Sequence, residues 1–483
     1  MMALGGAFAA RKRKETNMKT IAALLAVLAA FGARAADVSV DKDRMLVVDG
    51  KRTFVLGLYE NPKDDAVLQS VAKAGFNLVQ AKADAAALDR LQANGLHSWI
   101  NVGANLDFSV DAESRAAALG KFVQDFGGHP SILAWEVPDE ALWNVWYSAQ
   151  QWFAEERNQQ KERIAALTDD AKKTELNAKR DKATTLYLSG DYAQAEQLAS
   201  EIWKGLGAAS PHPDLTVSKA PERMAKLADG MLAGYEALKK LDAKHPVWMN
   251  HAPRNSIEQL TMFGKAADVV GCDIYPVPTK ESGHSDLLDQ SLASTGAYTL
   301  RMQESAPGKP VWMVLQGFGW SDLKEPAKED KHDVLKRPTY DQSRFMAYDS
   351  IVRGARGILY WGTAYIEKDS QLWQDLLRLA GELNGLQEVL SAPDLDAKMD
   401  VTYAPTWGSL DRGVVILPKQ VSGKNWLIIA NEWREPLTYT LAKVPAADGT
   451  VYKDAASGAQ ATVEQGKLTL TITGNGVHVL APQ

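Results

Sequence analysis

Acidic residues recur at the ends of short apolar runs in this chain: Glu60, the neighbours Asp139 and Glu140, and Asp273. Tyr59, Asn101, Asn250, His251, Tyr275, Gln316, Trp320, Trp361 and Tyr365 occupy equivalent places after other runs. Cleaving a glycosidic bond calls for such a set. It needs a protonated carboxyl beside the leaving oxygen, usually a second carboxylate across the ring, and flat apolar surfaces for the sugar face. A metal-dependent hydrolase would instead gather several His and Asp ligands on one ion. With eight His in 483 residues and no HxH or HExxH spacing, the expectation is no metal and no cofactor.

The elements that must position these residues alternate in type. Strand-like runs fall at 54–59, 76–80, 97–101, 132–137, 247–250, 269–274, 311–316 and 357–361. Helical periodicity follows each, at 64–74, 85–94, 112–126, 222–241, 256–266, 287–304, 342–353 and 371–390. Runs such as Asp268-Val269-Val270-Gly271-Cys272-Asp273 are apolar without alternation, as in parallel strands covered on both faces. Eight such units in series predict an α/β fold, a (β/α)8 TIM barrel, whose reactive groups sit where the strands end. Before it, residues 45–54 read as a small hairpin.

Residues 143–221 interrupt the pattern after the fourth strand, too long for a loop. A solvent-washed helix is expected over 155–182, and Tyr187 to Glu196 reads as part of a helical hairpin standing beside the active site as a wall or lid. Beyond Ser391 the chain changes to short alternating runs at 411–417, 426–431, 437–441, 467–472 and 477–480, expected to form a small antiparallel β-sandwich. That sandwich packs on the barrel or binds sugar. The expected organisation is therefore a leader over 1–35, a barrel over 36–395 including the insertion, and a sandwich over 396–483.

His129-Pro130-Ser131-Ile132-Leu133-Ala134-Trp135 followed by Asp139-Glu140 resembles the fourth-strand motif of clan A glycoside hydrolases, whose Trp-led strand ends in Asn-Glu. Gly354 to Trp361 is similar to their eighth strand, whose Trp floors the sugar subsite. Hairpin, barrel and sandwich together resemble the β-galactosidase-like members. The resemblance implies a hydrolase acting on a β-linked glycan, with Glu140 as general acid. Two departures bear on mechanism. Asp139 replaces the clan's Asn, and Gln316 stands where the clan carries its nucleophilic Glu, so Gln316 cannot be the nucleophile.

Three readings stay open. Asp273, or failing that Glu60, partners Glu140 as second carboxylate, an inverting mechanism tolerating the wider spacing. Alternatively Asp139 and Glu140 act as in substrate-assisted hexosaminidases, where the Asp orients a 2-acetamido group and no protein nucleophile is needed. In the third, the barrel binds glycans without cleaving them. Around the acids, Tyr59, Glu60, Asn101, Asn250, His251 and Gln316 are expected to hold hydroxyls, and Tyr275, Trp320 and Trp361 to stack on sugar. Trp135, Trp248 and Trp312 are expected to pack, and Glu136, inside a strand, to pair with an Arg or Lys. The bland alternative for Asp139 and Glu140 is that they cap the following helix.

A net charge of −6 offers no basic surface for a phosphate backbone, so nucleic acid is not an expected partner. The lone Cys272 excludes an intrachain disulfide. Residues 21–31 are apolar and lead to Ala33-Arg34-Ala35, a signal-peptide cleavage pattern, with translation starting at Met18. The expectation is export, to the periplasm or outside the cell. No other run is apolar enough to span a bilayer.

Overall fold

The computed structural model describes residues 35–253, 255–278, 289–323 and 337–483. The leader expected over 1–35 lies, apart from its last residue, outside the described residues, as does the start of the helix expected over 287–304.

The lead-in is a three-stranded antiparallel sheet, because β1 (Val38–Val40) adds to the hairpin of β2 (Leu46–Val48) and β3 (Lys51–Thr53). Eight parallel strands then close into a barrel: β4 (Val55–Leu58), β5 (Leu78–Ala81), β6 (His97–Asn101), β7 (Ile132–Glu136), β8 (Val247–His251), β9 (Val269–Ile274), β10 (Val311–Gln316) and β11 (Gly357–Trp361). Pairing of β11 with β4 completes the ring. Helices cover its outside: α1 (Asp65–Ala74), α2 (Ala85–Ala93) and α3 (Ala112–Phe126), then after the insertion α7 (Ala220–Leu241), α8 (Ile257–Gly264), α9 (Ser294–Ser305), α10 (Tyr340–Val352), α11 (Gln371–Gly385) and α12 (Gln387–Ser391).

The barrel is filled, not hollow. Val55, Leu78, Trp99, Ala134, Trp248, Val269, Trp312, Val314 and Leu359 form one buried cluster, which Ala36, Val38, Leu46 and Val48 of the lead-in sheet join. The sheet thus plugs the end where the strands begin. Trp248 fits because Gly271 lacks a side chain: a Cβ there would sit 2.4 Å from the indole and 1.7 Å from the Trp312 carbonyl. Trp135 points outward, its Nε1 donating to Asp242 Oδ2 at 2.9 Å.

The insertion carries α4 (Ala141–Ala165), α5 (Asp170–Leu188) and α6 (Tyr192–Gly205). The single helix expected over 155–182 is two, since Asp169 caps α5 by accepting from Lys172 N–H and so stops the helical run despite its continuing composition. Ile164, Leu176 and Ile202 hold the three helices together in a small core of their own. After the barrel, sheets of three strands (order β12, β15, β18) and five strands (order β13, β14, β19, β16, β17) pack face to face around Leu427, Tyr439, Leu468 and Leu480. These strands are β12 (Asp400–Tyr403), β13 (Val414–Val421), β14 (Lys424–Asn431), β15 (Leu437–Ala442), β16 (Val451–Asp454), β17 (Gln460–Thr462), β18 (Lys467–Ile472) and β19 (Val477–Pro482). Among the described residues no helix is long and apolar enough to cross a membrane.

Candidate active site

Successive side chains on a strand face opposite ways, so counting by two from the buried barrel layer finds the inner residues one storey higher. The count reaches Tyr59, Gln80, Asn101, Glu136, Asn250, Asp273, Gln316 and Trp361, one per strand, at the end of the barrel where barrel enzymes keep their chemistry. Asp139 and Glu140 follow the fourth of these.

Pro138 and a left-handed turn at Glu140 (φ 48, ψ 32) carry the chain from β7 into α4. Glu140 holds the cap position of α4, yet its side chain makes no capping bond, so the bland reading fails for it. Its carboxyl acts directly on that of Asp273. Burial, then the charges of Glu140 and Asp139, hold Asp273 well above the usual carboxylate range. Burial therefore favours a proton shared between the two carboxyls. Asp139 turns in to accept from Asn250 Nδ2 at 3.0 Å, and burial raises it as well.

The direct interaction of Glu140 and Asp273 departs from the wide spacing expected of an inverting pair. Carboxyls flanking a scissile bond lie about 5 Å apart in retaining enzymes and about 6.5 to 9.5 Å apart in inverting ones. Two carboxyls that act on each other this directly behave as one proton-sharing unit.

Glu136 also departs from expectation. No Arg or Lys reaches it among the described residues. Gln80 Nε2 donates to its Oε2 at 3.3 Å, its Oε1 has no partner, and the side chain is fully buried. Burial first, then the charge of Asp139, pushes it up to about 8, with the amide of Gln80 opposing. Glu136 is thus a neutral acid at pH 7, and both it and Gln80 were missed from sequence. The count by two would have found them.

Several expected sugar ligands are already engaged. Gln316 is fully buried; its Oε1 accepts from Val277 N–H at 2.9 Å and its Nε2 donates to the carbonyls of Val277 (2.8 Å) and Phe318 (3.0 Å), so it binds backbone rather than substrate. Glu60 accepts from Thr363 Oγ1 and Lys368 Nζ, both at 2.7 Å, tying the first loop to the eighth and leaving it unsuited as a second carboxylate. Asn101 bridges Gly103 N–H (2.7 Å) and the Val137 carbonyl (3.1 Å). Tyr59 accepts from Trp248 Nε1 at 3.3 Å and lies edge-on to Trp99. His251 is buried and lowered to about 4 by that burial, hence neutral.

The aromatic expectations converge on one wall. Tyr275 and Trp361 stack at 5.6 Å and 20°, with Trp320 edge-on to Tyr275 at 6.2 Å and Phe318 wedged against all three. Tyr365, more than half exposed, extends the wall outward beside Trp361. Two open clefts flank the acids. One of 790 Å³ runs over Tyr59, Glu60, Gln80, Lys82 and Asn101; the other, of 530 Å³, runs from Pro138 and Asp139 to the insertion.

No family model matches the chain, and no curated protein matches its sequence. Solved structures do. A glycoside hydrolase family 5 structure from Bacteroides vulgatus superposes with a TM-score of 0.51 at 13% identity, covering 92% of each chain. The fold is that of the barrel glycoside hydrolases. Gan42B, a family 42 β-galactosidase from G. stearothermophilus, matches with a TM-score of 0.50 at 12% identity over 92% of this chain and 99% of its own. At such identities the likeness concerns architecture, barrel and C-terminal sheets together.

Proposed function

We propose that this chain hydrolyses O-glycosidic bonds of a β-linked glycan or oligosaccharide. The observation that carries the reading is the interacting pair of Glu140 and Asp273 at the mouth of the barrel, beside an aromatic wall of Tyr275 and Trp361. A carboxyl that stays protonated at neutral pH can protonate a leaving oxygen, and stacked rings hold the sugar that departs. In this reading the pair delivers one proton, leaving through Glu140. Export to the periplasm or beyond, on the leader pattern ending at Ala35, would bring the enzyme to such substrates.

The second half of the chemistry falls to Asp139. Gln316 is spent on backbone, Glu60 on Lys368, and Asp273 on Glu140, so Asp139, oriented by Asn250, is the carboxylate left to direct an attacking group. Either it activates a water, or it orients a substrate 2-acetamido group as in substrate assistance. Hydrolysis assays across oligosaccharides with and without a 2-acetamido group decide both points. Glu140→Gln is expected to abolish turnover, and a thiazoline mimic to inhibit it. Turnover unaffected by Glu140→Gln refutes the assignment, and turnover of a plain glucoside refutes substrate assistance. A saturable binder without turnover on any substrate would be a glycan-binding barrel instead.

A further inference from the structure

The 530 Å³ cleft beside Asp139 is built by four parts of the chain: the loop after β6 with Asp107 and Ser109, the start of α3 with Arg115, the first turns of α4 with Asn144 and Ser148, and α7 with Arg223 and Lys226. It opens off the candidate active site, because Pro138 and Asp139 form its inner edge. Its size suits one or two sugar rings.

Its charge sets it apart from the rest of the molecule. The chain carries a net −6, yet three cations gather here against two acids. Arg115 is matched by Asp107 at 2.9 Å. Arg223 is not matched in that way. It donates to main-chain carbonyls of Asp214, Thr216 (3.0 Å) and Val145 (3.2 Å), which fix the guanidinium, and the acids that act on its charge, Asp214 and Glu196, lie outside the cleft lining. Lys226 is exposed at the rim and makes no ion pair among the described residues.

We infer that this cleft is a subsite for an anionic sugar, one carrying a carboxylate or a sulfate ester, held next to the bond to be cleaved by the field of Arg223 and Lys226. The inference rests on the proposed hydrolase reading and narrows its substrate class. The insertion then has a purpose: α4 and the segment before α7 supply the wall and the carbonyls that hold Arg223. A neutral sugar could fill the volume but would leave Lys226 without an ionic partner and Arg223 answered only from outside the cleft. Electrostatic selection of this kind falls with ionic strength.

The test is titration of full-length Glu140→Gln protein, which can bind without turning over, with three oligosaccharides of one length and linkage: a uronate, a sulfated sugar and a neutral one. At low salt at least one anionic ligand is expected to bind about tenfold tighter than the neutral one, a gap of one decade in Kd. Lys226→Glu, at an exposed position that folding tolerates, should collapse that gap, as should high salt. Whichever anionic arm binds tighter identifies the charge carried. Equal affinity for all three ligands, no binding of any, or a gap indifferent to Lys226→Glu overturns the inference. Wild-type protein that prefers anionic ligands but cleaves nothing upholds the subsite and removes the hydrolase reading. Turnover with no charge preference does the reverse.

Discussion

Acids in two regions of this protein are treated in opposite ways. Where the barrel meets the sandwich, Asp394 and Glu382 are given cations or strong donors. Asp394 takes Arg356 at 2.5 Å and Lys419 at 2.7 Å, while Glu382 takes Arg344 at 2.8 Å and the hydroxyls of Tyr340 and Tyr348. Burial raises both acids, but their partners outweigh it and leave them below the usual range. At the barrel mouth, Glu136, Asp139 and Asp273 are held by amides and by one another, and all three are raised. The first arrangement stabilises a junction. The second gathers raised acids around the place where substrate would lie, the pattern of a site tuned for proton transfer.

The largest expected effect separates the two by activity. Asp273→Asn keeps the shape and removes a carboxyl the fold does not need charged, so stability should hold or rise. Turnover should fall about 10³-fold, since the proton-sharing pair is gone. Steady-state kinetics beside urea denaturation reads both, and full activity in this variant would erase the distinction drawn between the regions.

Lys419→Met is the converse. Lys419 is buried, pairs with Asp394, and donates to the carbonyls of Leu390 (3.1 Å) and Ala392 (2.8 Å). Its loss should cost about 3 kcal/mol of stability. Activity per folded molecule should not change. A kinetic defect without destabilisation would mean that the seam reaches the chemistry.

Opposite shifts also predict weakness at opposite ends of the pH scale. Glu136 moves from 4.5 up to about 8 on folding, so between those values the native state holds a proton that the unfolded chain has released, and stability falls as pH rises. Asp394 and Glu382 are lowered, so their contribution is present above the ordinary carboxylate range and is lost as pH falls through their folded values. Glu136→Gln should therefore flatten the alkaline decline, with a gain that grows as pH rises to 8, and leave the acid limb as it was. Thermal unfolding between pH 3 and 9 checks it. An unchanged alkaline limb would show that Glu136 is not the buried acid responsible.

The same contrast explains what could be read in advance. Strands at 97–101, 269–274, 311–316 and 357–361 match the structure residue for residue, because uninterrupted apolar runs between turn residues leave a buried parallel strand little freedom. The insertion was legible as helical but not in its break, which hangs on one capping side chain, Asp169. Asp139 and Glu140 were found because they follow a strand. Glu136 was passed over because an acid inside a strand suggested an ion pair, whereas its neighbours are Gln80, Asn101 and Trp99 from two other strands. Contact between Asp273 and Glu140 depends on the left-handed turn at Glu140, and no spacing along the chain encodes it.

Gln316 carries the smallest effect and the sharpest test of the seventh strand. Replacing it with Glu restores the residue type that the clan resemblance expects there, with nearly the same shape. The carboxylate would lose the donor that reaches the Val277 and Phe318 carbonyls and would meet both as an unpaired acceptor. Destabilisation of about 1 to 2 kcal/mol should follow, by denaturant titration, with turnover no higher than before. A gain in turnover would mean that the strand-end site is open to substrate after all, and would move the second carboxylate from Asp139 to position 316. The amide's three backbone bonds argue for the first outcome, because a group that holds the loops around residues 277 and 318 in place has no oxygen left to offer an anomeric carbon.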